Sequence, residues 1–254
     1  MDILQSLAAS TANRYHGKQT VSIENRAFSS ILEGHPFKHA LESDHLAVIA
    51  EVKKASPSKG VIASSFDPPA IAKEYETGGA SALSILTEPT RFLGDDAYLT
   101  SIGESVSLPL LRKDFIITPY QILESRILGS SAILLIAALL DKNTLSSFLS
   151  LTRSLGMDAL VEVHDEVELD LALGAGATII GVNNRNLRNF TVNLETSLHL
   201  IHSIPSSVMA VSESGIRGRE DAIQLKQAGF SAILVGEQLM RRVNRAQAVQ
   251  ELKV

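Results

Sequence analysis

Short apolar segments alternate with longer amphipathic segments along the chain from Ala47 onward. Eight of the apolar segments have the length of a strand, and most lack a polar alternation. This pattern is expected for strands that are covered on both faces of a parallel sheet. The segments are 47–52, 82–86, 110–113, 132–136, 159–163, 179–182, 208–211 and 232–235. The pattern therefore predicts eight successive strand–helix units.

Glycine marks the ends of several predicted helices between these strands. Amphipathic segments cover residues 71–77, 120–128, 145–155 and 221–228, and they are followed by Gly78, Gly129, Gly156 and Gly229. Glycine is favoured there because it adopts the left-handed conformation of a helix C-cap without steric cost. The same arrangement recurs along the chain, which indicates a repeated helix-to-strand turn.

Eight strand–helix units predict the α/β class and a single closed (β/α)8 TIM barrel, a fold that typically needs about 250 residues. The alternative is a doubly wound open sheet, but the glycine-rich turn usual after its first strand is missing. Residues 1–45 look helical and polar. They predict an N-terminal helical extension that covers either the mouth or the bottom of a barrel formed by residues 46–254. No Pro-, Gly- or Ser-rich linker divides the chain, so one domain over residues 1–254 is expected.

Composition narrows the classes of function. The 254 residues are 45% hydrophobic and 20% charged, which is too apolar for a disordered chain. A net charge of −5 without a basic face argues against a nucleic-acid partner, although a local group of lysines can still bind an anion. The longest apolar run, 133–140, is too short to span a membrane, and the first ten residues lack the basic start of a signal peptide. We therefore expect a cytoplasmic protein without a membrane partner.

Metal and thiol chemistry are not expected. The chain has no cysteine, which excludes disulfides and thiolate metal sites. The histidines show no spacing typical of metal ligands. His164 follows the fifth predicted strand, but its position relative to Glu162 indicates a supporting or solvent role. The sequence therefore predicts no metal site.

Charged residues end three of the predicted strands, where the chemistry of such barrels collects. Glu51 and Lys53 are two residues apart and share a face of the first strand. Lys113 ends the third strand and Glu162 lies near the end of the fifth. A single Lys–Glu pair is equally well explained as a structural ion pair. Four interior charges from three alternate strands carry a desolvation cost that a purely structural design avoids, so they predict a site.

The last three strands add polar turns. Asn183 and Arg185 follow the sixth strand in a segment rich in donors. By itself this segment is equally typical of a solvated turn. Ser214-Gly215 and Gly236 follow the seventh and eighth strands, where barrel enzymes often bind phosphate through glycine backbone N–H groups. Ser56, across the mouth, adds a hydroxyl donor.

Six collinear motifs resemble the indole-3-glycerol phosphate synthase family over the whole barrel. They are IAEVKKASPSKG at 49–60, LRKDFI at 111–116, LVEVH at 160–164, IGVNNRNL at 180–187, SESGI at 212–216 and LVGE at 234–237. The segment 86–94 matches more loosely and keeps Phe92 and Gly94. The region around His35-Pro36-Phe37 departs from the family's helical extension.

The resemblance implies a carbon–carbon lyase of tryptophan biosynthesis that requires no organic cofactor. Its substrate would be 1-(2-carboxyphenylamino)-1-deoxyribulose 5-phosphate, and its products indole-3-glycerol phosphate, carbon dioxide and water. Lys113 would be the general acid at the ribulose carbonyl. Lys53 would hold the substrate carboxylate and serve as acid in the dehydration. Glu162 would be the base, with Glu51 orienting Lys53 or acting as a second base.

The remaining site residues follow from the same resemblance. Asn183 and Ser214 would complete the catalytic set. The residues expected to bind substrate are Ser56, Phe92, Arg185, Glu213, Gly215, Gly236 and Glu237. The net direction of the lysine pKa shifts stays open, because a neighbouring cation lowers a lysine pKa and a paired carboxylate raises it. Association with neighbouring tryptophan-pathway enzymes is a further expectation.

Two other functions compete with this one. A sister phosphate-binding barrel such as phosphoribosylanthranilate isomerase would be expected to use a cysteine, and the chain has none. A catalytically silent barrel that only binds a sugar phosphate would have no need for the acid and base pairs.

Overall fold

Eight parallel strands form a closed barrel in the computed structural model, which describes residues 3–63, 65–186 and 190–254. Each strand pairs with the next along the chain, and the last pairs with the first. The strands are β1 (Ala47–Val52), β2 (Ala82–Leu86), β3 (Leu110–Lys113), β4 (Ala132–Ile136), β5 (Asp158–Val163), β6 (Ile179–Asn183), β7 (Met209–Glu213) and β8 (Ala232–Val235). The predicted (β/α)8 fold is confirmed. Leu187, which ends the fourth motif, lies outside the described residues.

Helices follow every strand and complete the eight units. After three helices of the N-terminal extension, α1 (Ile3–Arg14), α2 (Glu24–Phe28) and α3 (Pro36–Leu41), the chain forms α4 (Pro68–Thr77), α5 (Asp96–Gly103), α6 (Pro119–Ile127), α7 (Lys142–Ser154), α8 (Glu166–Ala175), α9 (Glu195–Leu200), α10 (Arg219–Ala228), α11 (Glu237–Met240) and α12 (Arg245–Leu252). Side chains of Asp67, Asp141 and Asp165 accept backbone N–H groups at the starts of α4, α7 and α8. These caps define where the helices begin.

Alternation along the strands separates two apolar clusters. In β1, Val48 and Ala50 pack between the sheet and the outer helices, whereas Ala47 and Ile49 fill the inside of the barrel. Glu51 is the next inward position of the same strand. Because side chains alternate across a strand, the inward series must end on this carboxylate at the carboxyl end of the barrel.

The N-terminal extension covers both ends of the barrel. Helix α1 lies at the carboxyl ends of the strands, where Ile3 and Leu7 line the cavity and Arg14 Nη2 lies 2.6 Å from Asp114 Oδ2. Helix α3 lies at the opposite end, where the Lys38 N–H donates to Asp158 Oδ2 at 2.9 Å. From the sequence, the extension was expected to cover either the mouth or the bottom of the barrel. Helix α1 covers the mouth and helix α3 covers the bottom. None of the described helices is long and apolar enough to cross a membrane.

Candidate active site

A cavity of about 870 Å³ opens at the carboxyl ends of the strands. All the residues predicted for the site line it: Glu51, Lys53, Ser56, Phe92, Lys113, Glu162, Asn183, Arg185, Glu213, Ser214, Gly215, Gly236 and Glu237. They come from β1, β3, β5, β6 and β7 and from the turns that follow β1, β2, β6, β7 and β8. The barrel therefore brings the predicted set together in one place.

Lys113 lies at the centre of a buried acidic group. Its Nζ is 3.2 Å from Glu162 Oε2 and 3.3 Å from Glu213 Oε2. The three residues end the inward series of β3, β5 and β7, following Leu111, Leu160 and Val211. Alternate strands contribute to one layer of a barrel interior, and this rule brings the three charges together.

Lys53, directly after β1, forms a second ion pair, with Glu51 of that strand. Glu51 is buried and the Lys53 side chain is 16% exposed, so the ammonium faces the cavity. A Cβ built at Gly236 would overlap Glu51 Oε2, so the absence of a side chain in the turn after β8 makes room for this pair. Gly236, predicted to bind phosphate, thus also accommodates the Glu51 carboxylate.

The cluster holds its members in different charge states. Burial would lower the pKa of Lys113, but Glu213, Glu162 and Glu51 together raise it well above its ordinary value. The direction left open by the sequence is therefore upward for this lysine. Burial would raise the pKa of Glu162, but Lys113, His164 and a hydrogen bond from Asn183 hold it below its ordinary value.

Glu213 behaves differently from Glu162. Burial, reinforced by the charges of Glu162 and Glu51, raises the pKa of Glu213 to about 7 against the attraction of Lys113. Among the described residues, its Oε1 has no hydrogen-bond partner. The two carboxylates beside Lys113 are thus an ionised group and a group that titrates near neutral pH.

The turns after β7 and β8 form the end of the cavity where the sequence predicts phosphate binding. Ser214 and Gly215 both have left-handed backbones, with φ values of 65° and 83°. Helix α11 begins at Glu237, directly after Gly236. The Glu237 carboxylate lies 3.0 Å from Arg241 Nε. This ion pair offsets the negative charge of Glu237 next to the predicted anion site. Ser56 lies opposite on a short hairpin formed by Ala55–Ser56 and Gly60–Val61.

Asn184, which sequence reasoning gave no specific role, organises this end. Its Nδ2 donates at 3.0 Å to the carbonyl oxygens of Glu213 and Ser214, and its Oδ1 accepts the Ser197 N–H at 3.0 Å. The neighbouring Asn183 accepts the Arg185 N–H at 3.0 Å. Consecutive asparagines therefore serve the cavity and the backbone behind it, respectively.

The aromatic side of the cavity is formed by Phe92 and Phe115, whose ring centroids are 6.3 Å apart. The loop that carries Phe92 is organised by Glu88, whose carboxylate accepts the backbone N–H groups of Thr90, Arg91 and Phe92. This is the segment whose sequence matched the motif only loosely.

Further lining residues were missed by sequence reasoning. They are apolar residues of α1 and of the strand interiors, Ile3, Leu4, Leu7, Leu86, Phe115, Leu134, Ile136 and Leu234, and polar residues at the rim, Arg217, Asp221, Gln224, Gln238 and Arg241. The inward alternation of the strands was a usable signal for Leu134 and Leu234. The residues of α1 carry no such signal, because their placement depends on tertiary contacts.

Buried charges also surround β3 outside the cavity. Arg112 is fully buried and its Nη2 lies 2.6 Å from Asp96 Oδ1 and 3.1 Å from Glu124 Oε2. It also donates to the Tyr15 hydroxyl at 3.0 Å. Arg14 contacts Asp114 on the other side of Lys113. The N-terminal extension is thus bound to both neighbours of the central lysine.

Within the described ranges, no group of three or more histidine, aspartate or glutamate side chains is arranged to hold a metal ion.

Comparisons with known proteins agree with the geometry. The sequence model of the indole-3-glycerol phosphate synthase family matches residues 5–252. The indole-3-glycerol phosphate synthase of Ruminiclostridium cellulolyticum is 47% identical over 245 residues, which cover 94% of each chain. That of Sulfurimonas denitrificans is 54% identical over 214 residues, covering 84% of this chain and 81% of the relative.

Solved structures show the same barrel at low sequence identity. The 3-hexulose-6-phosphate synthase of Salmonella typhimurium superposes with a TM-score of 0.67 at 11% identity, covering 82% of this chain and 96% of that one. This likeness concerns the fold alone. The family is shown by the sequence match, which extends over almost the whole chain. This chain belongs to the indole-3-glycerol phosphate synthase family.

Proposed function

We propose that the cavity carries out the family's reaction with Lys113, Lys53 and Glu162 as its acids and base. The reaction is the decarboxylating and dehydrating ring closure of 1-(2-carboxyphenylamino)-1-deoxyribulose 5-phosphate to indole-3-glycerol phosphate in tryptophan biosynthesis. The enzyme is a carbon–carbon lyase. The observation that carries the assignment of roles is the position of Lys113 Nζ between Glu162 and Glu213 at the base of the cavity.

Lys113 is the acid of the first step. The aromatic carbon that bears the carboxylate attacks the ribulose carbonyl, and negative charge develops on the carbonyl oxygen. The raised pKa of Lys113 keeps its ammonium protonated until then. A developing alkoxide is more basic than an amine, so the proton moves to the oxygen as the carbon–carbon bond forms. Loss of carbon dioxide then restores the aromatic ring.

Lys53 and Glu162 complete the dehydration. Lys53 first holds the substrate carboxylate and then gives a proton to the leaving hydroxyl group, which departs as water. Glu162 accepts the proton from the neighbouring carbon, and its lowered pKa keeps it ionised and ready to do so. Glu51 orients Lys53 through their ion pair and is the alternative base for this proton.

The remaining residues place the substrate. Ser56, Gly215 and Gly236 with the Glu237 backbone face the phosphate, and Phe92 packs against the anthranilate ring. Asn183, Arg185, Glu213 and Ser214 contact the sugar between them. Contacts at both ends of the cavity hold the two reacting parts of one flexible substrate in a fixed geometry. Binding energy then offsets part of the entropic cost of reaching the transition state.

A phosphorylated small molecule is the substrate of this family. A cytoplasmic location, the lack of a nucleic-acid partner and an association with neighbouring tryptophan-pathway enzymes stay predictions from the sequence.

The test replaces the central acid and leaves the barrel in place. Purified protein is mixed with the carboxyphenylamino-deoxyribulose phosphate, and the rise of indole fluorescence is followed. Lys113→Ala is expected to lower the rate by about 10²–10⁴, the usual contribution of a positioned acid. Lys73→Ala, at an exposed position of α4, is the matched control and should keep the original rate.

Thermal unfolding of both variants separates loss of the acid from loss of the fold. Near-normal turnover by a folded Lys113→Ala variant would exclude the role assigned to Lys113. A folded original chain that binds the substrate without any fluorescence rise would contradict the proposal as a whole.

A further inference from the structure

His164 lies behind the proposed base and has no part in the reaction described above. It directly follows Val163 at the end of β5, and it is absent from the described residues that line the cavity. Its side chain is 16% exposed, and it contacts a carboxylate on each side, Glu168 of α8 and Glu162 of β5. The contacts that the ring makes with these two carboxylates depend on which of its nitrogens carry a hydrogen.

Glu168 fixes the orientation of the ring. Its Oε2 accepts the main-chain N–H of His164 at 2.8 Å and lies 3.0 Å from the ring Nδ1. Glu168 belongs to the first turn of α8, which Asp165 caps, so the carboxylate is held by a regular element. An ionised carboxylate only accepts hydrogen bonds, and Nδ1 must therefore carry a hydrogen.

The other ring nitrogen faces the base. Nε2 of His164 lies 3.5 Å from Glu162 Oε1, and it is enclosed without a hydrogen bond to any of the residues described. In a neutral imidazole with its hydrogen on Nδ1, a lone pair of Nε2 would face this oxygen. In the imidazolium form, an N–H bond faces it instead. Only the second arrangement is attractive, because two acceptors in a buried space repel each other.

We propose that His164 is a positioning residue for Glu162, held as an imidazolium by Glu168 so that Glu162 stays ionised with its Oε2 directed at Lys113. The inference rests on the proposed role of Glu162 as base. His164 acts through Glu162 and does not touch the substrate. Glu162 is then supported from β3 by Lys113, from β5 by His164 and from β6 by Asn183.

The charges around the imidazole agree with this state. The ring is surrounded by Glu168 on α8, Glu162 on β5 and Glu213 on β7, with Lys113 of β3 on the far side of Glu162. Burial would lower the pKa of His164, but Glu168, Glu162 and Glu213 together raise it above its ordinary value of 6.5. The imidazolium therefore persists to higher pH than in an ordinary histidine, and the support of Glu162 is lost when the pH rises through the raised pKa.

The kinetic test uses two histidines that pair with the same helix. His164→Gln removes the charge behind the base. His199→Gln is the matched control, because His199 Nε2 lies 3.1 Å from Glu166 Oε1 at an exposed position of α8. We expect His164→Gln to lower kcat by about 10- to 100-fold, the cost of a misplaced catalytic group, with little change in KM. In the original chain, kcat should decline as His164 loses its proton with rising pH. This decline should be absent in His164→Gln. His199→Gln should keep the original profile.

A titration followed by nuclear magnetic resonance tests the protonation state without turnover. The His164 ring signals, assigned by their loss in His164→Gln, should titrate above pH 6.5 in the original chain and at lower pH in Glu168→Gln and Glu162→Gln. Glu168→Gln keeps the histidine and serves where His164→Gln unfolds. An ordinary titration in the original chain, or an unchanged pH profile of kcat in folded His164→Gln, would overturn the inference. Full activity of Glu162→Gln would instead contradict the proposed base, while the titration would still report on the Glu168–His164 pair.

Discussion

At the scale of single residues, glycines leave the space that two buried carboxylates of the cavity occupy. A Cβ at Gly236 would overlap Glu51 Oε2, and a Cβ at Gly181 would overlap Glu213 Oε1. Neither glycine has a left-handed backbone. Glycine is therefore needed at these two positions because a side chain would not fit, and not because the backbone is left-handed, which is the usual reason for glycine in a turn.

Gly236→Ala should disturb the Glu51–Lys53 pair and leave the barrel intact. The added methyl group pushes Glu51 away from its place and with it the ammonium of Lys53, so we expect kcat to fall by about 10²-fold, as for a small misplacement of catalytic groups. Steady-state kinetics with the fluorescence assay measures the effect. Gly103→Ala is the control, because a Cβ there meets Leu110 only at an ordinary 3.5 Å. Equal kinetics of the two variants would contradict the spatial argument.

Sequence reasoning at this scale succeeded where strand alternation was applied and missed contacts that this rule does not cover. Alternation along β1, β3 and β5 was enough to predict that Glu51, Lys113 and Glu162 converge. The same rule, applied to β7, would have put Glu213 into the cluster, although the sequence assigned it only to substrate binding. The contact of His164 with Glu168 was missed, although it is local: the two residues are four apart and meet at the start of α8.

At the scale of elements, the loop after β2 is shaped by one carboxylate. Glu88 accepts hydrogen bonds from the backbone N–H groups of Thr90, Arg91 and Phe92 at 2.8 to 3.0 Å. Such a loop is ordered by its own side chain and not by a regular ladder. The orientation of Phe92 at the cavity therefore depends on the charge and on both oxygens of Glu88.

Glu88→Gln should loosen this loop and weaken substrate binding. The amide has a single acceptor oxygen, so some of the three N–H groups lose their partner, and Phe92 is held less firmly. We expect a rise in KM of about tenfold, corresponding to about 1.4 kcal/mol of lost binding. Steady-state kinetics measures KM and kcat together. Glu104→Gln, at the exposed end of α5, is the control. A fall in kcat at unchanged KM would show that the loop does not act through binding.

The elements themselves were predictable to different degrees. Five strands have the predicted bounds, because continuous apolar runs mark them clearly. Strands β6 and β7 extend to Asn183 and Glu213, beyond their predicted ends. The polar residues at these strand ends look like loop residues in the sequence. The strands were therefore predicted to end too early. The hairpin at Ala55–Ser56 is too short to leave a pattern.

At the scale of the whole molecule, an ion pair and a hydrogen bond connect the N-terminal extension to the barrel. Tyr15 of the extension contacts Arg112 of β3, and Arg14 contacts Asp114 directly after that strand, with sequence separations near one hundred residues. Such pairs connect parts of the chain that no local pattern relates, which is why the placement of the extension could not be predicted. The predicted single domain with a boundary between residues 45 and 46 stays a prediction.

The stability of the molecule should carry the signature of Glu213. Its pKa is raised from an ordinary 4.5 to about 7, so the folded chain binds this proton more tightly than the unfolded chain. Stability must then decrease as the pH rises through that window, since the native state holds the extra proton. Lowered groups such as Glu162 act in the opposite direction, and a single profile therefore cannot isolate Glu213.

Glu213→Gln isolates the effect, because it keeps the shape of the neutral acid at every pH. The free energy of unfolding in urea should be similar for the variant and the original chain at about pH 4, below the ordinary pKa, and higher for the variant at about pH 8. Glu104→Gln, at an exposed position, should follow the original chain at both values. If the difference between Glu213→Gln and the original chain stays constant from acid to alkaline pH, then Glu213 is not the neutral-range group of the cluster. In that case, Lys113 holds both neighbouring carboxylates ionised throughout.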